Sequence, residues 1–384
     1  MDYDAVVVGA GPSGLVAARH IAEKGCSVLI CEKEGELGQK ACAEGIPDFT
    51  LKIAGLSPSP SFIANAIDGV HIFPPDENRM RASESFRGFI IDKKLFLYAL
   101  AQKAVAAGAS LMMRCEVKGM KSDGEIQKLA INHKGELQHV EGRVVVGADG
   151  AGSVVSKSSG TFEANYSCSS CIQYRMVNCN IPDRNFIRMY LGRDVAPLGY
   201  AWIFPKNEYL ANVGLGVRNE NAEPYLKRFI ENHPQIFKKA RVVRSEGGLV
   251  PTSGQLETIV KGNVVLCGDA AGQVLPACAG GIWTGMSAGK DAGMVVGEAL
   301  ESKDLSLLKN YPKRFGEYWG ICIERSLRVL KVIDKFSDDD YNDLTDVING
   351  QDILDLAYGV NHRKVLLKMM RNPKIALKFA DKLF

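Results

Sequence analysis

The stretch Tyr3–Lys33 reads "YDAVVVGAGPSGLVAARHIAEKGCSVLICEK". Its unbroken apolar run, Ala5 to Val8, is what a strand buried on both faces of a parallel sheet requires. Gly9, Gly11 and Gly14 follow with GxGxxG spacing, and Leu15, Ala18, Ile21 and Ala22 then recur at helical intervals. A second apolar strand, Ser27 to Cys31, ends on Glu32. The first glycine allows a tight turn, the second lets a pyrophosphate approach the backbone, and the third lets the helix pack on the strand. The helix N-terminus offers N–H groups and a positive dipole end to phosphates. Glu32, 18 residues after Gly14, is placed to accept hydrogen bonds from a ribose. Strand, helix and acid together make a dinucleotide site. An acid where NADP would favour a base leaves an NAD-like ligand or FAD.

Outward from this stretch, the bulk numbers are those of a soluble globular protein. The chain has 384 residues, 46% hydrophobic and 24% charged, enough for two or three domains with a large core. The ten cysteines are scattered, and several sit in apolar runs as reduced thiols do. Cys168 and Cys171 form one CxxC without a second pair, so no metal is expected. Acids in "MDYDAVVVGAG" stand where a signal peptide needs bases, and no 18-residue uncharged apolar run occurs. A cytoplasmic protein is expected.

Two more apolar strands end in small residues and an acid. They are "RVVVGADGAGSVV" with Asp149 and "NVVLCGDAAG" with Gly268 and Asp269. With the first motif they form an ordered set that resembles the FAD-binding fold of the para-hydroxybenzoate hydroxylase and geranylgeranyl reductase superfamily. The resemblance implies FAD, with Asp269 at the ribityl–phosphate region. It also implies a helix whose N-terminus, near Gly280, Gly281 and Ile282, faces the flavin.

Further stretches narrow the family. "KACAEGIP" follows Glu32 by a short loop, and "PLGYAWIFP" places Tyr200, Trp202 and Phe204 at alternate positions, hence on one face of a strand. "CIQYRMVNCNI" and "FIRMYLGRDVAPLGYAWIFPKNEYLANVGLGV" read as successive strands, and "YLKRFIENHPQI" as a short amphipathic helix. Together they resemble the archaeal geranylgeranyl reductases, flavoenzymes that saturate isoprenoid double bonds in membrane lipids. Three departures stand out. The loop reads Cys-Ala-Glu-Gly rather than Cys-Gly-Glu-Gly, Lys93 stands for a typical Arg, and "LPACAGGI" puts Cys278 and Ala279 where Pro-x-x-Gly-Gly-Gly-Ile is usual.

The resemblance implies an α/β (α+β overall) architecture: a Rossmann-like FAD-binding domain with an inserted antiparallel β-sheet substrate domain and a C-terminal helical segment. Expected boundaries are 1–165 for the first FAD part with an excursion near 50–90, 166–258 for the substrate sheet, 259–308 for the last FAD part and 309–384 for the helices. It implies FAD contacts from Gly9, Gly11, Ser13, Gly14 and Glu32, then from Cys42, Ala43, Gly45, Lys93 and Val117. Asp149, Gly268, Asp269, Gly280, Gly281 and Ile282 complete that set. Tyr200, Trp202, Phe204 and Pro205 would line the prenyl-lipid cavity, with Cys42 and Tyr200 as candidate proton donors and no metal. An external electron donor, ferredoxin-like or NAD(P)H, is implied because no second dinucleotide fingerprint occurs. Rival readings are a flavin aromatic monooxygenase and an electron-transfer flavoprotein serving a quinone or protein.

No histidine shows a partner pattern. His71, His133, His139, His233 and His362 read as loop or polar positions, and His20 as a surface or dimer-facing residue. Ser337 before three aspartates reads as a helix cap. The last 24 residues carry seven Lys or Arg against Asp381, a net +6 that leaves about −3 for the remainder. Leu366, Met369 and Met370 share one helical face, and Ile375, Phe379 and Leu383 the next beyond Pro373. Such a tail suits a peripheral contact with an anionic membrane surface, or a cap on the substrate domain with a solvated basic face. Nucleic-acid binding has no support.

Overall fold

The computed structural model describes residues 1–373, 375 and 376. Lys374, Phe379 and Leu383, with the other bases of the extreme tail, lie outside the described residues.

The strand Tyr3–Val8 sits at the centre of the first sheet, with Glu136–Gly147 on one side and Val28–Glu32 on the other. Val264–Leu266 and Ser110–Met113 extend it, and all four of these pairings are parallel. Ala5, Val6 and Val7 are wholly buried, as a strand covered on both faces must be. Val8 lies opposite both Gly147 and Cys31, and Gly147 opposite Leu266. Four strands therefore end level, and their outgoing loops emerge on one edge.

The helix Pro12–Ala22 packs on the helix Ile282–Glu301 with almost nothing between them. A Cβ at Gly289 would lie 2.1 Å from the Ser13 carbonyl oxygen, and one at Gly293 would lie 2.5 Å from that of Ala17. This small-residue seam brings the two helix backbones into contact. The second helix starts at Ile282, where the resemblance implies it, and not directly after its strand. The short 3-10 turn Gly268–Ala271 and a loop intervene, which sets the helix start back toward the sheet edge.

A seven-stranded sheet runs in the order Arg241–Pro251, Cys168–Val177, Leu210–Val217, Tyr200–Pro205, Phe186–Tyr190, Gly69–Phe73, Arg81–Ser83. It is antiparallel except where Gly69–Phe73 meets Phe186–Tyr190 in parallel. The helices Ala222–Asn232 and Pro234–Phe237 follow the last strand of the meander. Ser337 closes a capping box with Asp340 at the start of Asp338–Thr345. The mixed α/β fold with an inserted sheet and C-terminal helices is the one the sequence leads to. No described helix is long and apolar enough to cross a membrane.

Candidate active site

The loops that leave the level strand ends enclose one large cavity of about 1430 Å³. That exceeds the roughly 300–1,000 Å³ typical of a pocket for one small ligand. Gly9 turns the chain at a φ of +100°, and a Cβ there would sit 2.4 Å from the Ala148 carbonyl oxygen. Beside it, a Cβ on Gly11 would meet no protein atom within 4 Å. The helices Pro12–Ala22 and Ile282–Glu301 begin at Gly11 and Gly281, and neither has a side-chain cap. Two helix N-termini with orphan N–H groups thus open on the same cavity, an arrangement suited to anionic oxygens.

Gly9, Gly11, Ser13, Glu32, Cys42 and Ala43 line this cavity, as do Gly45, Lys93, Val117 and Asp149. Gly268, Asp269, Gly280, Gly281 and Ile282 complete its wall. Gly14 does not line it; its hydrogen in place of a side chain lets the Gly9 carbonyl pass 2.0 Å from where a Cβ would be.

The three acids have different occupations. Glu32 accepts from the Ala10 N–H at 2.8 Å and the Glu34 N–H at 2.9 Å, which leaves lone pairs on both oxygens for a ligand. Asp149 turns inward. It accepts from the Ser153 hydroxyl at 2.6 Å and the Val154 N–H at 2.7 Å, so its carboxylate is engaged in shaping the turn at the cavity wall. Burial pushes its carboxyl above the usual range. Asp269 pairs at 2.5 Å with Lys40, which the sequence reading did not single out. That carboxylate holds the Lys40 ammonium above its usual value. Lys93 is buried and donates to the Lys40 carbonyl at 2.7 Å, so the two lysines stand together on this side.

The Cys-Ala-Glu-Gly loop is built around Glu44, which is buried with φ at +69°. Its carboxylate accepts from Lys206 at 2.5 Å, Asn212 at 2.7 Å, Arg175 at 3.3 Å and the Lys93 N–H at 3.1 Å. Lys206 and Asn212 are themselves buried. Asn212 also donates to the Ala43 carbonyl at 3.1 Å, and Gln173 to the Cys42 carbonyl at 3.0 Å. The loop is thus clamped to the seven-stranded sheet. Apart from Lys93, none of these partners had a sequence signal, since Gln173, Arg175, Lys206 and Asn212 each lie more than a hundred residues from the loop.

On that sheet, Tyr200, Trp202 and Phe204 all line the cavity, while Ala201 and Ile203 point into the opposite core. Phe204 lies against Gly45, and Trp202 against Gly214, where a Cβ would come within 2.5 Å and 2.6 Å of the rings. Trp202 donates its indole N–H to Gln173 at 3.1 Å, and the Tyr200 ring meets Trp202 edge-on at 5.9 Å. Pro205 is buried outside the cavity, and its carbonyl accepts from Asn65 at 2.9 Å. The Tyr200 hydroxyl donates to the Cys278 carbonyl at 2.8 Å, and burial holds its pKa well above the usual value. The Cys42 sulfur accepts from the Glu44 N–H at 3.3 Å, and burial raises that thiol too. Both groups are therefore protonated at neutral pH.

The rest of the wall comes from the C-terminal helices. Val70, Ile72, Met189 and Leu191 of the seven-stranded sheet and its neighbouring loop face Ile333, Phe336 and Leu344 across the same space. Only Leu366 and Met369 of the tail face turn inward, and Met370 is exposed, contrary to the shared face expected of the three. Two histidines also differ from expectation. His71 is buried on a strand and stacks on Phe186 at 4.4 Å, while His233 is buried between the Phe229 carbonyl at 2.7 Å and Glu77 at 2.8 Å. Neither lines the cavity.

The chain is 34% identical to the digeranylgeranylglycerophospholipid reductase of Methanocaldococcus jannaschii, over 98% of this chain and 97% of that one. It is 36% identical to the enzyme of that name from Methanothrix thermoacetophila, over 98% of each. The chain belongs to the digeranylgeranylglycerophospholipid reductase family. A geranylgeranyl reductase catalytic domain matches residues 167–250, and an NAD(P)-binding Rossmann-like domain matches residues 7–55. A geranylgeranyl bacteriochlorophyll reductase-like crystal structure from Thermoplasma acidophilum superposes with a TM-score of 0.87 at 30% identity, covering 99% of both chains. This family member is an FAD-dependent oxidoreductase. The cavity fits FAD: the glycine turn and two uncapped helix ends suit the pyrophosphate and flavin, and Glu32 retains acceptor capacity for ribose.

Proposed function

We propose that the protein saturates isoprenoid double bonds in geranylgeranyl-type chains of membrane lipids, using electrons from an external donor. The observation that carries this reading is the continuity of the cavity, from the glycine cradle past the Tyr200, Trp202 and Phe204 face into aliphatic lining from the C-terminal helices. A prenyl chain is a branched, uncharged ribbon, bound by desolvation worth roughly 25 cal/mol per Å² of apolar area covered. A short pocket with polar anchors, as a phenol hydroxylation would need, is not what these residues form.

Held by the glycine turn, Glu32 and the two helix N-termini, FAD would supply hydride chemistry once reduced by the external donor, and the second alkene carbon must then receive a proton from a group of the protein. The aromatic face holds the chain flat and excludes water. The Tyr200 proton is directed at the Cys278 carbonyl, whereas the Cys42 sulfur accepts a hydrogen bond and its own S–H donates to no group among the described residues. Cys42 is therefore the better candidate donor, with Tyr200 positioning the Cys278 loop. The basic tail reads as a peripheral membrane contact, because Leu367 and Met370 are exposed beside Arg363 and Lys364.

The test is mass spectrometry of polar lipids from a host that makes unsaturated archaeal-type lipids, with and without this protein and a low-potential ferredoxin. Mass gains in steps of two hydrogens are expected, and Cys42→Ala should lose them while retaining FAD. No gain from the FAD-loaded wild type would remove prenyl saturation as the function.

A further inference from the structure

Exposed residues of the helices Ile321–Ile333 and His362–Met370 (Ile321, Arg328 and Arg363) are among those that line the cavity, so it meets solvent at these helices. On the first helix Ile321, Arg325, Arg328 and Val332 lie three or four residues apart and line the cavity, so they share one face. Arg325 and Arg328 lie between Ile321 and Val332 on this face, Ile333 ends the helix and Phe336 follows it, and both of these also line the cavity. The second helix supplies His362, Arg363 and Leu366 to the same wall. The chain entering that helix is docked on the first one. Ser326 donates to the Ala357 carbonyl at 2.8 Å, and a Cβ at Gly359 would lie 2.2 Å from the Cys322 carbonyl oxygen. This docking brings His362 and Arg363 beside Arg325. Ser326 also accepts from the Ala277 N–H at 3.0 Å, which ties the opening to the loop that precedes the flavin-facing helix.

The charges here are out of balance. Glu324 lines the opening too, but it is paired with Arg328. Arg325 and Arg363 have no carboxylate partner and no hydrogen bond among the described residues, although Arg325 is half-buried. His362 is held below its usual pKa by burial and by Arg325, Arg363 and Arg328. Cationic side chains so placed, at the end of an apolar cavity, suit an amphiphile with an anionic end.

We propose that Arg325 and Arg363, flanked by Arg328 and His362, bind the phosphate of the lipid head group while the prenyl chain occupies the cavity. Planar guanidinium forks match phosphate oxygens in geometry as well as charge. The inference rests on the prenyl-lipid reading above and deepens it, because it assigns the residues that recognise the polar end and hence the direction of chain entry.

The experiment compares a prenyl phosphate with the prenyl alcohol of the same length, using FAD-loaded full-length protein. Wild type should favour the phosphate through KM by roughly tenfold or more, as charge-assisted contacts do. In Arg325→Gln/Arg363→Gln that preference should collapse toward unity through KM, while Lys121→Ala/Lys134→Ala, an equal loss of two charges at exposed positions that do not line the cavity, should keep it. Arg325→Lys/Arg363→Lys retains charge without the fork and should fall between, and it serves if the glutamine pair fails to retain FAD. Inorganic phosphate separates the two sources of this chemistry. It should compete weakly with the prenyl phosphate in wild type; equal affinity for both would mark a free-anion site and overturn the head-group assignment. A preference that survives both double variants would also overturn it. Calorimetric titration with the prenyl phosphate reads the site without turnover. Binding that depends on these arginines without reduction of either compound would count against the proposed function and leave the phosphate site standing.

Discussion

Three residues beside the cavity, Glu44, Leu198 and Ala279, adopt left-handed backbone angles that glycine would hold more easily, with φ at +69°, +56° and +54°. Glu44 is held there by the buried partners of its carboxylate. Ala279 has no such side chain, and the resembling family usually places glycine at this point. A left-handed L-residue costs about 1–2 kcal/mol, against a glycine entropy cost of about 0.5–1 kcal/mol. Ala279→Gly should therefore stabilise the protein by roughly 0.5–1 kcal/mol, seen as a small rise in the thermal unfolding midpoint. A lower midpoint would show that the alanine methyl contributes packing worth more than the strain. The same loop carries the Cys278 carbonyl that accepts from Tyr200, so relief of strain here acts next to the candidate chemistry.

At the scale of elements, the seam between Pro12–Ala22 and Ile282–Glu301 sets where both helix N-termini open. Gly289→Val would place its Cβ 2.1 Å from the Ser13 carbonyl oxygen, where only backbone can yield. Overpacking of this kind costs about 1–3 kcal/mol or more. Because Ser13 is in the first turn of the helix that opens on the glycine cradle, the variant should also purify with less flavin, measured by its visible absorbance per protein. Gly316→Ala, with no atom within 4 Å of the added Cβ, should leave flavin content unchanged. Equal flavin in both variants would show that the seam does not position the cradle. The first of these elements was legible in the sequence for a local reason: its strand, turn and helix start are contained in about a dozen consecutive residues. The alternation of Tyr200, Trp202 and Phe204 was legible for the same reason. Lys40 beside Asp269, and Arg175, Lys206 and Asn212 around Glu44, were not, because pairing register between distant strands brings them together. The histidines misled through composition. His71 and His233 sit in polar-looking segments, but a strand and a helix end carry them into cores.

At the scale of the whole molecule, one buried carboxylate joins the two sheets. Glu44 belongs to the loop that follows the dinucleotide strands, while Lys206, Arg175 and Asn212 belong to the seven-stranded sheet or its edge. Through Asn212 and Gln173 the same sheet also holds the Ala43 and Cys42 carbonyls. The cavity depends on this junction, since the cradle is on one side and the aromatic face on the other. Glu44 is 4% exposed and Lys206 is 3% exposed, so neither charge can turn to water when the other is removed. Removing one member of such a pair costs about 3–5 kcal/mol, mostly from the charge left behind, whereas replacing both is far milder. Lys206→Met should accordingly lower stability in denaturant unfolding, by less than that amount because Arg175 still pairs with Glu44 at 3.3 Å, and weaken FAD retention. Adding Glu44→Gln should recover part of the stability, because the remaining amide no longer buries a charge. Flavin retention should recover less, since the amide accepts fewer hydrogen bonds than the carboxylate did and the Cys42 loop stays loosened. If Lys206→Met unfolds as wild type does and keeps its flavin, the junction is not what couples the sheets. The Phe204 contact with Gly45 would then be the next candidate for that role.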